Sequence, residues 1–346
     1  MATQFLPDAL KPVKQLLARL TTVTPPEPKL TVGLDIGATS IKVVALGTRK
    51  KGVKLRPIIG QNLVPLDGQE DQDASEAVKL ALSTLRLSAR SVNLSVSGQW
   101  VIMRVVEMPA MKPNELRQAL PYEVQRYLPF NVQDVVFDGV PLGPSEGNKV
   151  WVLIVACKKD LLERRVDWVK RAGFEPALID VDALALANAF LASRDGGLIE
   201  GGRYALIDVG AQLTNLVVFK DDIPYLVRDI PWGGEKLVRH LADQLGAESA
   251  AVAQGLLQGQ LSPEMQVALK STCEGVVAEL QLSFDYFENR FGQPPDTLLV
   301  AGGMSQSSAF LEALKSHLTQ AVSPWSPMNG LSGQFAVAYG LALRGS

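Results

Sequence analysis

The feature that most constrains the fold is a strand, turn and strand unit that occurs twice. Residues 30–46 read LTVGLDIGATSIKVVAL, which is an apolar run ending at Asp35, a glycine two residues later and a second apolar run. Residues 204–220, YALIDVGAQLTNLVVFK, repeat this order with Asp208 in the place of Asp35, 208 − 35 = 173 positions later. One such unit is also typical of a plain β-hairpin, because Asp and Gly are ordinary turn residues. Its repetition predicts two similar half-domains that face one another.

The residue types of the first turn suit phosphate groups. Asp35 ends a buried strand, where a carboxylate can orient a hydrated magnesium ion. Gly37 has no side chain, so the backbone N–H groups of the turn can approach phosphate oxygens closely. Lys42 follows five residues after this glycine and can add a positive charge. The turn therefore predicts a site for the phosphates of a nucleotide.

A third element lies late in the chain. Residues 296–305, DTLLVAGGMS, are a short apolar strand that leads into Gly302 and Gly303 and then into a helical segment. Two Asp-x-Gly hairpins followed by such an element resemble the superfamily of actin, heat-shock chaperones and sugar kinases. The resemblance implies an α/β, actin-like (ASKHA) two-lobed fold with duplicated half-domains. It also implies that ATP binds with Mg²⁺, the hairpins clamping the phosphates and the Gly-Gly turn bordering the adenosine.

Composition excludes several other classes of protein. The net charge is 34 − 36 = −2, which gives no reason to expect nucleic acid as a partner. Cys157, Cys273, His240 and His317 are not grouped at metal-ligand spacing, so a zinc site, a disulfide framework and a His-based triad are poorly supported. No apolar run reaches the length of a bilayer span, and the first residues lack the apolar core of a signal peptide. These patterns predict a cytoplasmic protein.

The first 29 residues differ from the rest of the chain. Their apolar residues fall near one face of a helix, and a Pro-rich spacer follows at residues 24–28. Basic amphipathic helices dock on membrane surfaces or on partner proteins. The alternative is a mobile tail, and we favour it because chain termini are usually loose unless they are tied down.

Residues 99–158 have the pattern of an inserted lobe. A strand at 101–108 is followed by a helix at 114–127 and by strands at 135–140 and 150–157. Pro121 lies inside the helical stretch and predicts a bend or a break there. A lobe of this pattern is unusual for actin itself. It resembles the 1C lobe, of SHS2-like type, in the FtsA family of cell-division proteins and in the related PilM family of type IV pilus assembly.

Short motifs favour the PilM family over its relatives. Residues 122–130, YEVQRYLPF, and 134–138, DVVFD, are similar to the Tyr-Glu helix, Pro-Phe break and acidic strand of that family. Four further segments resemble it as well: VDALALANAF at 181–190, RDIPWGG at 228–234, ELQLSFDYF at 279–287 and AYGLALR at 338–344. The resemblance extends over everything after residue 29.

The resemblance also implies the domain boundaries. Subdomain 1A takes residues 30–98, 173–200 and 322–346, subdomain 1C takes 99–172, subdomain 2A takes 201–235 and 292–321, and the helical subdomain 2B takes 236–291. The amphipathic and Pro-rich tail, residues 1–29, precedes them.

Nucleotide-site residues are carried over from the family position by position. They are Asp35, Gly37, Ala38, Thr39, Ser40, Lys42, Asp208, Gly210, Gln212, Thr214, Gly233, Gly234, Glu235, Gly302, Gly303 and Met304, with Asp35 and Asp208 holding Mg²⁺ through water. Free N–H groups where Gly233, Gly234 and Glu235 open a helix would suit an anion, and the alternative is that the Gly pair is only a common helix entry. Asp180 and Asp182 end a strand, and we expect Asp182 to cap the next helix, with contact to the cleft as the alternative.

Several positions depart from the family pattern. Gln212 and Leu213 stand where relatives have small hydroxyl residues, and Met304 takes the place of a third glycine. Gln254 and Gln258 lie in a segment where relatives carry Glu and Lys that reach the ribose and the adenine. Because phosphoryl transfer depends on positioning, these changes predict ATP binding with weak or absent hydrolysis.

The leading hypothesis for function is a cytoplasmic nucleotide-binding scaffold of type IV pilus assembly. The resemblance implies that it binds the amino-terminal cytoplasmic tail of PilN in a groove between the 1A and 1C lobes, as an extended peptide that uses apolar pockets and sheet-edge hydrogen bonds. The predicted contact residues are Tyr122, Arg126, Tyr127, Pro129 and Phe130. Further expected partners are other inner-membrane pilus components and motor ATPases, with membrane association through a partner and with self-association.

Two other classes of function remain open from the sequence. An FtsA-like filament-forming ATPase shares the fold and the inserted lobe, but it should end in an amphipathic membrane-targeting helix, whereas this chain ends at Arg344-Gly345-Ser346. A sugar or acetate kinase needs a catalytic carboxylate beside the acceptor, and no acid in the first half stands out for that role.

Overall fold

Two five-stranded sheets, a three-stranded sheet and nine helices make up the part of the chain that is described, residues 30–49, 55–66, 73–193 and 202–345 of a computed structural model. The strands are β1 (Leu30–Ile36), β2 (Ser40–Gly47), β3 (Ile58–Pro65), β4 (Ser91–Val96), β5 (Val101–Pro109), β6 (Val135–Pro144), β7 (Lys149–Lys158), β8 (Glu175–Val181), β9 (Arg203–Val209), β10 (Thr214–Lys220), β11 (Ile223–Ile230), β12 (Thr297–Gly302) and β13 (Ala321–Pro324). The helices are α1 (Ser75–Ser83), α2 (Pro113–Gln125), α3 (Lys159–Arg171), α4 (Asp182–Ser193), α5 (Gly234–Leu245), α6 (Ser249–Gln258), α7 (Pro263–Phe291), α8 (Ser308–His317) and α9 (Ala336–Leu343). The predicted amino-terminal tail lies outside the described residues.

The two large sheets have the same topology. The first has the order β3-β2-β1-β4-β8 and the second the order β11-β10-β9-β12-β13. In each sheet the first three strands are antiparallel and the last two are parallel to the central strand. Asp35 pairs with Lys42 across the first hairpin, and Asp208 pairs with Asn215 at the corresponding place in the second. The predicted duplication is confirmed, and the two aspartates occupy equivalent positions.

Helices α4 and α9 lie between the two sheets. Helix α9 packs on β1 and β2, whereas α4 packs on α9 and on β10 and β11. Glycine allows both close approaches: a Cβ atom at Gly33 would lie 2.0 Å from the Ala338 carbonyl oxygen, and one at Gly340 would lie 1.8 Å from the Ala185 carbonyl oxygen. These helices therefore fix the distance between the halves, and the carboxyl ends of the central strands meet at one cleft.

The inserted lobe is a three-stranded sheet of order β5-β7-β6 with α2 across one face. Leu116, Leu120 and Val124 of α2 pack on β7 residues that face them. The helix continues through Pro121, so the break predicted at this residue is not observed. The opposite face of the sheet turns toward the rest of the molecule, and β6 is the outer strand on one side.

Two elements pack with a different subdomain from the one to which the predicted domain boundaries assign them. Helix α3 falls within the predicted lobe, but its buried Val169 belongs to the core that also contains α1 and the first sheet. Residues 322–324 of β13 fall within the predicted third segment of subdomain 1A, yet this strand pairs with β12 in the second sheet. In both cases apolar burial or backbone pairing with a distant element decides the position.

The second half carries a helical region formed by α5, α6 and the long helix α7. The side chain of Ser262 accepts a hydrogen bond from the Met265 N–H, and Pro263 occupies the first helical position. Val276, Leu280 and Phe284 of α7 are buried in the core of this half. None of the helices in the described ranges is long and apolar enough to cross a membrane.

Candidate functional site

The first turn carries a buried ion pair at the bottom of the cleft. The Gly37 N–H donates to the Ser40 carbonyl at 3.1 Å and closes the turn. Beside it, the Lys42 Nζ lies 3.0 Å from Asp35 Oδ2. Burial alone would lower the pKa of Lys42, but the carboxylates of Asp35, Asp208 and Asp182 outweigh it and raise that pKa above its ordinary value. The charge of Lys42 therefore interacts with aspartates from both halves, as expected if the two turns face a common crevice.

The second turn has the same backbone hydrogen bond as the first, but its aspartate has a different electrostatic environment. Its Gly210 N–H donates to the Leu213 carbonyl at 2.9 Å. Burial raises the pKa of Asp208 to about 7; Lys42 opposes this rise, and Asp35 adds to it. Gly302 has a φ of +83°, and a Cβ atom there would lie 2.3 Å from Asp208 Oδ1. The backbone at the end of β12 therefore packs directly on this carboxylate.

Two further charged groups enter the cleft: Asp182, for which cleft contact was the alternative interpretation of the sequence, and Arg165, which the sequence did not indicate. Asp182 is the first residue of α4, and burial together with the nearby Asp35 raises its pKa. Arg165 of α3 donates from Nη1 to the Ile36 carbonyl at 2.5 Å. Burial lowers the pKa of Arg165, and Asp182 and Asp35 oppose that effect. Asp182 thus faces the charged cleft, so the alternative of cleft contact describes it better than helix capping.

A signal for one of these two residues was present in the sequence. Asp182 directly follows β8, which is parallel to β1 and β4, and the carboxyl ends of parallel strands meet at one edge of a sheet. Arg165 lies within α3 among several other basic residues, and its spacing gives no comparable indication.

Two of the three N–H groups predicted to be free at the start of α5 are paired with the second turn. The Gly234 N–H donates to the Gly210 carbonyl at 2.9 Å, and the Glu235 N–H donates to the Ala211 carbonyl at 2.8 Å. The prediction of free N–H groups is therefore wrong for Gly234 and Glu235, because the backbone of the second turn takes these two donors. A Cβ atom at Gly234 would also lie 3.2 Å from Met304 Sδ, so the methionine side chain lies against this glycine. A Cβ atom at Gly233 would be 2.4 Å from the Ala211 carbonyl oxygen.

The remaining predicted nucleotide residues differ in how far they are buried. Thr214 is buried and its hydroxyl donates to the Trp232 carbonyl at 2.8 Å, whereas Gln212 is exposed on the turn. Gly303 has open space where a side chain would be. Three half-buried residues form the tip of the first turn: Ala38, Thr39 and Ser40.

The residues present fit the phosphate part of a nucleotide better than its remaining parts. Lys42 and Arg165 are cations withdrawn from water, and the Arg165 Nε has no hydrogen-bond partner. Within the described ranges no group of three or more His, Cys, Asp or Glu side chains is spaced to hold a metal ion directly. A Mg²⁺ ion could therefore be held by Asp35 and Asp208 only through water. The side chain of Met304 lies against Gly234 and fills the space beside it.

A separate apolar pocket of about 460 Å³ lies where the inserted lobe meets the first half. Val155 and Cys157 of β7 form one wall, and Leu184 and Ala187 of α4 form the other. The start of β11 adds residues of the second half at one end. The pocket thus touches all three sheets, and its volume lies in the range of sites that hold small molecules or short peptide segments.

A few polar residues also line this pocket. Asp180 and Arg344 form an ion pair at 2.9 Å, and the Asn188 Nδ2 has no partner although it is buried. Asp138 of β6 is exposed at the rim. A ligand with apolar side chains and a few backbone polar groups would match this distribution.

The five residues predicted to bind a peptide lie on the other side of the lobe. They belong to α2 and the segment after it, which cover the sheet face carrying Ile154, whereas Val155 faces the pocket. Tyr122 is 80% exposed. Glu123 pairs with Arg126 at 3.0 Å and accepts a hydrogen bond from the Tyr127 hydroxyl at 2.9 Å.

The last two of these residues, Pro129 and Phe130, follow α2. Phe130 packs against Trp100 with ring centroids 6.4 Å apart, and Pro129 is exposed. None of the five lines the pocket. The period-two alternation of β7 was the sequence signal for the pocket wall, because it assigns Leu153, Val155 and Cys157 to one face.

Comparison with known proteins supports the fold and gives a family. A family model described as type IV pilus assembly protein PilM matches residues 33–346. The solved structure of a PilM-PilN type IV pilus biogenesis complex has a chain that is similar to this one with a TM-score of 0.78 and 23% identity, over 92% of this chain and 99% of that chain. Ethanolamine utilization protein EutJ from Carboxydothermus hydrogenoformans is similar with a TM-score of 0.56 and 17% identity, over 98% of this chain and 97% of that chain. The predicted actin-like, two-lobed α/β fold is confirmed.

Proposed function

The chain belongs to the type IV pilus assembly protein PilM family, and from that membership we propose that it is an assembly scaffold that binds the cytoplasmic amino-terminal tail of PilN in the apolar pocket. The similar solved structure is described as a complex of PilM with PilN, which supports this choice of partner. The proposal keeps the predicted docking site between the 1A and 1C lobes and replaces the predicted contact residues on and after α2 with the residues that line the pocket.

The pocket of about 460 Å³ is the observation that carries this proposal. Its walls are apolar, and β6, on the outer side of the lobe sheet, borders it. A peptide that adds to β6 as a further strand would gain backbone hydrogen bonds and would direct alternate side chains into the pocket. Burying two or three apolar side chains there is worth about 1.5–3 kcal/mol each before the cost of ordering the peptide.

The cleft is proposed to bind ATP with a hydrated Mg²⁺ ion. Lys42 and the N–H groups of the first turn would hold phosphates, while Asp35 and Asp208 would orient the waters of the ion. The bound ion would supply charge neutralisation for the phosphates. The paired N–H groups of Gly234 and Glu235 are not free to bind phosphate, which supports slow or absent hydrolysis because positioning supplies most of the catalysis.

Membrane association is proposed to occur through PilN. Binding to other inner-membrane pilus components and to motor ATPases, as well as self-association, are further proposals that follow from family membership alone. The alternative of an FtsA-like filament is not favoured, because the family match is to a pilus assembly protein.

A titration of the full chain with a synthetic PilN tail peptide tests the docking site. Val155→Glu places a carboxylate in the pocket wall, so we expect it to weaken binding by about 30-fold, which corresponds to about 2 kcal/mol. Fluorescence anisotropy of the labelled peptide gives the dissociation constants.

Tyr122→Ala is the matched control on the opposite face of the lobe. The exposed tyrosine is not among the residues that line the pocket, so this variant should bind as the wild type does. Normal binding by Val155→Glu together with lost binding by Tyr122→Ala would return the docking site to α2. No binding by the wild type would reject the proposed partner.

A further inference from the structure

Arg165 lies between the charged cleft and the apolar pocket. On the cleft side it donates to the carbonyl of Ile36, the last residue of β1 before the first turn. On the other side its charge reaches the thiol of Cys157, which lines the pocket. Burial raises the pKa of Cys157 to about 11, and the guanidinium of Arg165 partly opposes this rise. Arg165 does not itself line the pocket, so it contacts the cleft side directly and acts on the pocket wall through its charge on Cys157.

Each wall of the pocket contains an element with one end close to Arg165. Helix α3, which carries Arg165, starts directly after β7, and β7 supplies Val155 and Cys157 to one wall. Asp182, whose charge acts on Arg165, is the first residue of α4, which supplies the opposite wall. A shift of the guanidinium would therefore act on the ends of two elements that line the pocket.

The hydrogen bonds of Arg165 are incomplete in this arrangement. Its Nη1 donates to a neutral carbonyl, and its Nε is buried with no partner. Asp35 and Asp182 act on it through charge. A phosphate oxygen carries a negative charge and a peptide carbonyl does not, so a guanidinium forms a stronger hydrogen bond with the phosphate. A phosphate beside Lys42 would thus compete with Ile36 for this guanidinium.

We propose that Arg165 couples the cleft to the pocket: a phosphate group bound in the cleft draws the guanidinium away from the Ile36 carbonyl, and the junctions of β7 with α3 and of β8 with α4 adjust the pocket walls. The identities of the two ligands, a nucleotide triphosphate and the PilN tail, rest on the proposed function. Coupling of this kind is reciprocal, so tail binding changes nucleotide affinity by the same factor.

Cys157 provides a reporter that needs no partner peptide. It lines the pocket, whereas Cys273 is completely buried in the core of the second half. The rate at which N-ethylmaleimide alkylates each thiol is followed by mass spectrometry on the full chain, with and without saturating ATP and Mg²⁺. In the wild type we expect the nucleotide to change the Cys157 rate by at least about threefold, about 0.7 kcal/mol, and to leave the Cys273 rate unchanged.

Substitutions on α3 separate coupling from simple support of the fold. Arg165→Gln should lose the nucleotide effect on Cys157 even when nucleotide is raised to saturate the variant, and Arg165→Lys, which keeps the charge, should retain part of it. Arg171→Gln is the matched control, because Arg171 lies on the same helix and pairs with the exposed Asp73 at 2.6 Å. It should behave as the wild type does. Thermal denaturation identifies a variant that does not fold, in which case Arg165→Lys decides.

Three results would overturn the coupling. They are a nucleotide effect on Cys157 that persists in Arg165→Gln, a wild type in which saturating nucleotide leaves Cys157 unchanged, and a wild type that binds no ATP at millimolar concentration. Tail affinity measured without nucleotide is independent of all three. A tail that binds while Cys157 ignores the nucleotide rejects the coupling alone, whereas an effect on Cys157 with no tail binding rejects the partner alone.

Discussion

The two Asp-x-Gly turns share a backbone but differ in what surrounds their aspartates. Asp35 lies opposite Lys42 and is paired with it, while Asp208 lies opposite Asn215 and against the backbone of Gly302. The hairpin therefore sets only the position of each carboxylate. The neighbour across the ladder and the adjoining strand decide whether that carboxylate is charge-paired or close to half-protonated at neutral pH.

Substitution of Gly302 should give the largest difference in stability between the two turns. Its φ of +83° and the 2.3 Å approach of an added Cβ to Asp208 Oδ1 mean that Gly302→Ala strains the backbone and displaces the carboxylate. We expect a loss of at least about 3 kcal/mol in the free energy of unfolding, measured by urea denaturation. The first turn should keep its ion pair.

Gly303→Ala is the matched control for this prediction. No atom lies within 4 Å of a Cβ atom at this position, so the variant should lose less than about 1 kcal/mol. Equal losses in the two variants would show that the second turn does not depend on the close approach at Gly302.

A smaller effect concerns the pH dependence of stability. The pKa of Asp208 rises from an ordinary value of 3.8 to about 7, so between these values the folded protein holds a proton that the unfolded chain has released. The stability from this proton is complete below pH 3.8 and is lost as the pH rises to 7. Asp208→Asn removes this titration, and its stability relative to the wild type should rise between pH 5 and 8 by about 1–2 kcal/mol after solvent screening.

Urea denaturation at each pH measures this difference. Asp160→Asn, at an exposed position on α3, is the control and should follow the wild type at every pH. A wild type and an Asp208→Asn variant with parallel pH profiles would mean that Asp208 is charged in both states, as a paired aspartate would be.

The smallest expected effects, on stability and on ATP affinity, come from substitutions of a polar residue in each turn. Thr214→Val removes the hydrogen bond to the Trp232 carbonyl and should cost about 1 kcal/mol of stability while leaving the affinity for ATP unchanged. Ser40→Ala, at the tip of the first turn, should change stability by less than about 0.5 kcal/mol and should weaken ATP binding. Isothermal titration calorimetry gives the affinities. A loss of ATP affinity in Thr214→Val as large as that in Ser40→Ala would make the turns equivalent.

The sequence contained the information for the duplicated fold. Asp35 and Asp208 mark the ends of the central strands, and the apolar runs around them predict the hairpins that the register confirms. Arg165 could not be found in this way, because it reaches Ile36 from 129 positions away and its helix has several basic residues. Contacts between elements that are distant in the chain leave no trace in local spacing.

The same reason explains the misplaced features of the site. The N–H groups of Gly234 and Glu235 look free when the helix start is considered alone, but the second turn takes them. Tyr127 looked like a recognition residue, yet its hydroxyl donates to Glu123 of the preceding helix. Local patterns predicted the elements correctly and did not predict which face of each would be used.

The end of α9 has a practical consequence for the handling of this protein. The Asn93 side chain donates to the Leu341 carbonyl at 2.9 Å and to the Arg344 carbonyl at 2.8 Å, which holds Arg344 at the pocket rim. A purification handle or fluorescent fusion joined after Arg344 would emerge beside the mouth of that pocket. A carboxyl-terminal label therefore acts as a simple steric block in competition assays.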